Sequence, residues 1–211
     1  MKNISVVILT ENNLGKLSTL VDNIEATSSC VEEIIIVDNG SEEETRRWLI
    51  TNMHRIDPIM RANAIYRDLA YNFGFAEATG KYIVQMRDDI SLVPGWDKAM
   101  LSCFEYPLST KDMDKGHQIG AVGAGIILDK NWLTQDLSYV EAKPYGLCDI
   151  LKGDCWMFLR EEKGIMWEYS LSFAASGGIE WELQLRMRAA AGYKFVATPK
   201  VYTSAKEYNL S

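Results

Sequence analysis

The sequence predicts an α/β fold, a central, mostly parallel sheet flanked by helices on both faces in three layers. Three observations predict it. Ile4-Ser5-Val6-Val7-Ile8-Leu9, Glu33 to Val37 and Tyr82-Ile83-Val84-Gln85-Met86 are short apolar runs rich in β-branched residues, as expected of strands buried on both faces. The first two run through polar loops into helical periodicity, the order found in parallel, right-handed wound sheets. All three approach polar or acidic residues, and carboxylates at strand ends lie at the carboxyl edge, where open α/β sheets bind ligands. Two adjacent acids there, Asp88 and Asp89, could hold a hard cation against a phosphorylated substrate, while acids at a strand end are also common in solvated turns.

After the first strand, Thr10-Glu11-Asn12-Asn13 is rich in helix-capping residues. Leu14, Leu17, Leu20, Val21 and Ile24 then recur at helical spacing to about Ala26. The second strand ends in Asp38-Asn39-Gly40-Ser41. Ser41 with Glu44 spells a capping box, and Glu42, Glu43 and Glu44 favour the positive end of the next helix. A third strand is expected over Ala62 to Tyr66. Asp68 to Thr79 reads as a helix interrupted at Asn72-Phe73-Gly74, with Gly80 as its C-cap. Leu92 to Trp96 is a turn before a helix from about Asp97 to Glu105, and Pro107 to Gln118 reads as a surface loop. Ile119 to Leu128 is a Gly-containing strand, and from Asp129 to Gly153 periodicity gives way to loops. Cys155 to Leu159 is a strand. Glu180 to Ala191 is a helix with Leu183, Leu185, Met187 and Ala190 among its apolar positions, Gly192 caps it, and Tyr193 to Ala197 is the last strand before Pro199. No internal repeat or low-complexity linker divides residues 1–211, which read as a single domain.

At 211 residues the chain is long enough to bury a sizeable core. Its net charge of −7 argues against a broad nucleic-acid surface, so an anionic substrate needs local help from a metal ion or helix N-termini. The four cysteines are scattered without paired ligand spacing and read as reduced thiols of a cytoplasmic chain. No apolar run approaches membrane-spanning length, so no membrane span is expected. Two histidines leave little room for a histidine-based mechanism.

Five stretches, in order, carry a resemblance. They are Ser5 to Asn12, Ile35-Ile36-Val37-Asp38-Asn39-Gly40-Ser41, Asn72 to Tyr82, Met86-Arg87-Asp88-Asp89, and Glu180-Trp181-Glu182-Leu183 with Arg186, Gly192 and Tyr193. From residue 4 to about 203 the chain resembles the nucleotide-sugar glycosyltransferases of the GT-A fold, a Rossmann-like three-layer sandwich, in particular the large inverting family two. The resemblance implies a nucleotide-binding half over about 1–105 and an acceptor-binding half over about 106–211, with room for further domains of a modular enzyme. It also implies a UDP-sugar donor, Mn2+ or Mg2+, and a glycan, glycoprotein or lipid-linked acceptor. Departures stand beside it. Arg87 occupies the first acid of the family's Asp-x-Asp motif, Ile179-Glu180 replaces a Glu-Asp pair, and no histidine lies around Tyr202-Thr203-Ser204.

Carried residue by residue, the resemblance implies Asp89 as the principal metal ligand. Asp88 is then a second ligand, through water, or a ribose contact. Arg87 either assists the phosphate or pairs with a neighbouring acid. Asp38 is expected to accept the uracil N3–H, its alternative being a turn cap. Thr10, Glu11 and Asn12 lie beside the nucleoside, and Arg67 and Asn72 are weaker candidates for phosphate or ribose. Glu180 is the expected general base for the acceptor hydroxyl, its alternative being an acid that favours a helix N-terminus. Glu182 is expected to be structural or acceptor-binding, and Asp154 to touch the donor sugar. Trp156 stacks on a sugar face or belongs to the core.

Three other readings compete. A nucleotidyltransferase would carry a Gly-rich basic first loop, which Thr10-Glu11-Asn12-Asn13-Leu14-Gly15 is not, and a dehydrogenase would carry GxGxxG. A non-catalytic nucleotide- or glycan-binding module is compatible with the lost first acid.

Overall fold

A computed structural model describes residues 3–105, 119–124, 146–148, 151, 155–162, 165–170, 179–191, 193–198 and 202–203. The first half alternates strand and helix: β1 (Ile4–Thr10), α1 (Leu14–Thr27), β2 (Val31–Asp38), α2 (Glu43–Thr51), β3 (Asp57–Met60), α3 (Arg67–Glu77) and β4 (Tyr82–Arg87). Then come β5 (Ser91–Leu92), α4 (Trp96–Glu105), β6 (Ile119–Ala124), β7 (Gly146–Cys148), β8 (Cys155–Leu159), β9 (Glu161–Glu162) and β10 (Ile165–Met166). The helix α5 (Ile179–Ala191) precedes β11 (Lys194–Thr198) and β12 (Tyr202–Thr203).

Among the described residues, eight strands form the central sheet in the order β3-β2-β1-β4-β8-β6-β11-β7. The pairs β1–β2, β1–β4, β2–β3 and β6–β11 are parallel, while β8 runs antiparallel to β4 and β6, and β7 antiparallel to β11. The sheet is the expected mixed, mostly parallel one, and β1 is buried along its whole length. Its alternation sorts the core into two layers. Ile4, Val6 and Ile8 pack with Leu17, Leu20 and Ile24 of α1, Leu49 of α2, and Trp96 and Met100 of α4. Val7 and Leu9 face the other side, with Ala70, Tyr71 and Phe75 of α3 and Leu183 and Met187 of α5. Each large apolar side chain buried this way contributes about 1.5–3 kcal/mol. The three layers follow from that division.

Several expected details differ. The third strand is Asp57–Met60 and not Ala62–Tyr66. It is an edge strand with no buried residue that, among the described residues, pairs only with β2 along Ile35 to Asp38, so its residues lack the continuous apolar signature of the central strands. α3 runs unbroken through Asn72-Phe73-Gly74 and ends at Glu77 with Ala78 as its C-cap. Gly74 there reflects packing, since a Cβ would lie 2.2 Å from Val7 Cγ1. Gly80 is likewise not a helix cap; it passes against β1, where a Cβ would lie 2.7 Å from the Ser5 backbone nitrogen. The capping box of Ser41 and Glu44 does not form, because α2 begins after Glu42 with no side-chain cap bond. Leu185 of α5 is exposed. The expected loop at Pro107–Gln118, the strand residues beyond Ala124, most of the 129–153 stretch and the Gly192 cap lie outside the described residues. Among the described residues no helix is long and apolar enough to cross a membrane.

Candidate active site

The chain leaves β1 outward to β2 and β3, then returns to β4 on β1's other side. Loops after β1 and β4 therefore diverge and open a crevice at the carboxyl edge, the usual ligand position in such sheets. Register puts Thr10 opposite Asp38 and Leu9 opposite Arg87, so Thr10, Asp38 and Arg87-Asp88-Asp89 share one edge.

Asp38 is fully buried. Its Oδ1 accepts the Ser41 backbone N–H at 2.9 Å, which makes the turn cap, while Oδ2 has no hydrogen-bond partner and faces Arg46 Nε at 3.8 Å. A buried acceptor left open is costly and uncommon.

Two asparagines fix the loops around it. Asn12, at φ 55°, donates its backbone N–H to Ser41 Oγ at 2.9 Å and accepts the Glu42 N–H on Oδ1 at 2.7 Å. The first of these engages the hydroxyl expected to cap α2. Asn39 donates its backbone N–H to the Thr10 carbonyl and exchanges two side-chain bonds of 3.0 Å with the Ile65 backbone. Gly40, at φ +88°, passes under the same segment, where a Cβ would lie 2.7 Å from Ala64 N. The loop before α3 is thereby fixed, and with it Arg67 at that helix's start. Glu11 is exposed and lies 3.5 Å from Asn39 Nδ2.

At the end of β4, Thr10 donates its hydroxyl to Asp88 Oδ2 at 2.9 Å. Asn13, before α1, makes no side-chain cap bond, and its amide helps to hold the Asp88 carboxyl down. Burial pushes the Asp88 carboxyl up, the bonds from Thr10 and Asn13 oppose that, and neighbouring Asp89 adds to it. Arg87 pairs with Asp89: Nε reaches Oδ1 and Nη2 reaches Oδ2, each at 2.9 Å. Lys16 Nζ stands 3.9 Å from the same Oδ2. Behind them Tyr71 donates to the Met86 carbonyl at 3.1 Å; burial pushes its phenol well up, with Arg67 opposing and Asp88 reinforcing.

The donor set decides what these residues can hold. A hard divalent ion needs anionic oxygens with open lone pairs. Both oxygens of Asp89 accept Arg87, Lys16 adds a second cation, and one oxygen of Asp88 accepts Thr10. Among the described residues no group of three or more His, Cys, Asp or Glu is placed to bind a metal. The residues at this strand end do not fit an ion held by the protein, because Arg87 and Lys16 already pair with Asp89.

The remaining expected residues separate. Asn72 bonds both backbone groups of Tyr169, at 2.8 and 2.7 Å, which uses its amide for docking α3 rather than for phosphate or ribose. Trp156 is buried and stacked on Phe158 at 4.6 Å, so its ring belongs to the core and not to a sugar platform. Glu182 forms a forked pair with Arg186, which also reaches the Glu168 carbonyl, a structural role. Gln184 clamps both backbone groups of Leu151. Glu180 stands in the first turn of α5; its side chain and all of Asp154 lie outside the described residues. Lys16, Asn13 and Arg46 go unnoticed in the sequence. The signal for Lys16 is its place in the first turn of the helix after β1, which faces the crevice in sheets of this kind.

The glycosyl transferase family 2 model matches residues 5–113. An uncharacterized glycosyltransferase of Nostoc sp. is 35% identical over 91 residues, which are 41% of this chain and 28% of that protein. A mannosyltransferase from Pyrobaculum calidifontis, solved with GDP-mannose and Mn2+, superposes with a TM-score of 0.70 at 17% identity over 99% of this chain and 59% of its own. GalNAc-T7, solved with UDP, GalNAc and Mn2+, superposes with a TM-score of 0.67 at 15% identity over 95% of this chain and 43% of its own. The chain thus spans less than two thirds of each of these relatives' length, and at these identities the likeness to the solved structures is one of fold.

Proposed function

The chain belongs to glycosyltransferase family 2 and has the GT-A fold, and we propose that it transfers a sugar, with inversion, from a UDP-sugar to an acceptor hydroxyl. The observation that carries this reading is Asp38, a buried carboxylate at the end of β2, next to β1, with one oxygen that has no hydrogen-bond partner. The N3–H of uracil supplies the missing donor, and the Ser41 bond keeps the carboxylate aimed. Thr10 and Asn39 close the same edge. Donors differ among the solved relatives, GDP-mannose in one and UDP in the other, so the choice of uridine rests on Asp38.

Glu180 is the proposed base, taking the acceptor hydroxyl's proton as its oxygen attacks the anomeric carbon in line and the diphosphate leaves. Its place in the first turn of α5 and the engagement of Glu182 by Arg186 support that choice. Mn2+ or Mg2+, expected from the family, would meet an Asp89 already matched by Arg87.

The test is UDP release from a panel of UDP-sugars, with UDP affinity measured alongside by calorimetry. Glu180→Gln is expected to leave UDP affinity unchanged while turnover falls by about 10²–10⁴-fold. A near-normal rate would place the base elsewhere. UDP binding without turnover of any donor would instead make the chain a nucleotide-binding module.

A further inference from the structure

Resting on the reading that this crevice takes a nucleoside diphosphate, we infer that Arg87 and Lys16 hold the diphosphate by direct charge pairing, with Asp89 acting as the buttress that aims Arg87 rather than as a ligand to a metal ion. The family's metal motif begins with an acid, and this chain has Arg87 in that place. The substitution changes more than one charge. Arg87 reaches forward two residues and closes a two-bond fork on Asp89, which fixes the guanidinium plane. A guanidinium held this way is pre-organised for phosphate oxygens and loses little freedom on binding them. Lys16 arrives from a different element, the first turn of α1, and brings its ammonium to the same carboxylate at 3.9 Å while its side chain stays 56% exposed. An exposed ammonium on a flexible stem can turn from Asp89 to an incoming phosphate at little cost.

The geometry also disfavours the alternative. A divalent ion at Asp89 would have to displace a two-bond fork and then sit beside two displaced cations. A diphosphate meets no such conflict, because both cations attract it and Asp89 keeps Arg87 in place. Asp88 does not restore a metal cage, since one of its oxygens already accepts the Thr10 hydroxyl. The position that usually helps to hold a metal has become one that binds the anion itself.

Calorimetry of UDP and of uridine on the whole chain, in EDTA and in Mn2+, tests this. UDP affinity is expected to agree within about threefold between the two buffers, well under the tenfold that one charge-assisted bond represents. In EDTA, Arg87→Ala and Lys16→Ala are each expected to weaken UDP by about tenfold and leave uridine unchanged, which confines the loss to the phosphates. Arg87→Asp restores the family's acid, and is expected to bind UDP poorly in EDTA and to recover in Mn2+. Lys16 is exposed, so its variant remains informative if an Arg87 variant fails to fold. Wild-type UDP affinity that drops tenfold or more in EDTA overturns the inference while leaving the donor reading intact. Unchanged UDP affinity in Lys16→Ala and Arg87→Ala also overturns it. Failure of both UDP and uridine to bind in either buffer overturns the donor reading itself.

Discussion

Thr10 and Asp88 are joined by a hydrogen bond of 2.9 Å, from Oγ1 to Oδ2, between the last residue of β1 and the residue after β4. It spans the switch point of the sheet and so couples the two halves of the crevice. Thr10 is 1% exposed and sits opposite Asp38 in register, which leaves it no role at the surface. Replacing it by valine keeps the shape and removes the donor, leaving a half-buried carboxylate that burial already pushes up. Thr10→Val is expected to cost about 1–3 kcal/mol in urea denaturation, the penalty for an unsatisfied buried polar group. Thr10→Ser, which restores the hydroxyl, should recover most of the loss; equal losses in both variants would show that the methyl and not the bond matters.

What was legible in the sequence follows the reach of each interaction. β1, β2 and β4 announce themselves because both faces of each are buried over most of its length, which favours apolar side chains at most positions. Asp38 is legible for the same reason, a polar residue ending such a run. The third strand is not, since an edge strand carrying Asp57 and Pro58 needs no continuous apolar face. The capping box of Ser41 and Glu44 is correct local chemistry overridden by Asn12, which lies 29 residues away and takes the hydroxyl. Asn72 reads as a binding residue because its partner, Tyr169, is 97 residues distant. Arg87 presents the opposite case. Its pairing partner is two residues away, and the sequence already offers that pairing beside a phosphate role.

Glu33 of β2 carries a pH-dependent contribution. It accepts the Ser5 hydroxyl, the Thr79 N–H at 2.7 Å and the Thr79 hydroxyl at 2.8 Å, tying β2 to β1 and to the chain entering β4. Burial raises its carboxyl, but these bonds outweigh burial and hold it below the ordinary range. A carboxyl depressed in the folded state stabilises fully above its unfolded value, near pH 4.5, and loses that contribution as pH falls through the folded value. Glu33→Ala is therefore expected to lose about 0.5–1 kcal/mol at pH 7, solvent screening of the part-exposed carboxylate keeping the loss small, with the gap to the native chain narrowing below about pH 4.5. Denaturant midpoints of both chains across that range check it; a gap that is constant with pH would assign the loss to packing.

Gly74 sets two principles against each other. In the interior of α3, alanine should gain about 0.5–1 kcal/mol over glycine from helix propensity alone. Here its Cβ would lie 2.2 Å from Val7 Cγ1 and 3.1 Å from Val37 Cγ2, on the strands that carry Thr10 and Asp38. Forcing a methyl into a packed helix–sheet contact costs about 1–3 kcal/mol, so the steric term wins and Gly74→Ala is expected to lower the melting temperature. Gly15, in the first turn of α1, has nothing within 4 Å of the same added carbon. Gly15→Ala should therefore be neutral or slightly stabilising in the same thermal scan. If both alanines stabilise alike, α3 does not lie against β1 as closely as the Val7 contact requires, and the position of Arg67 at its start loses its support.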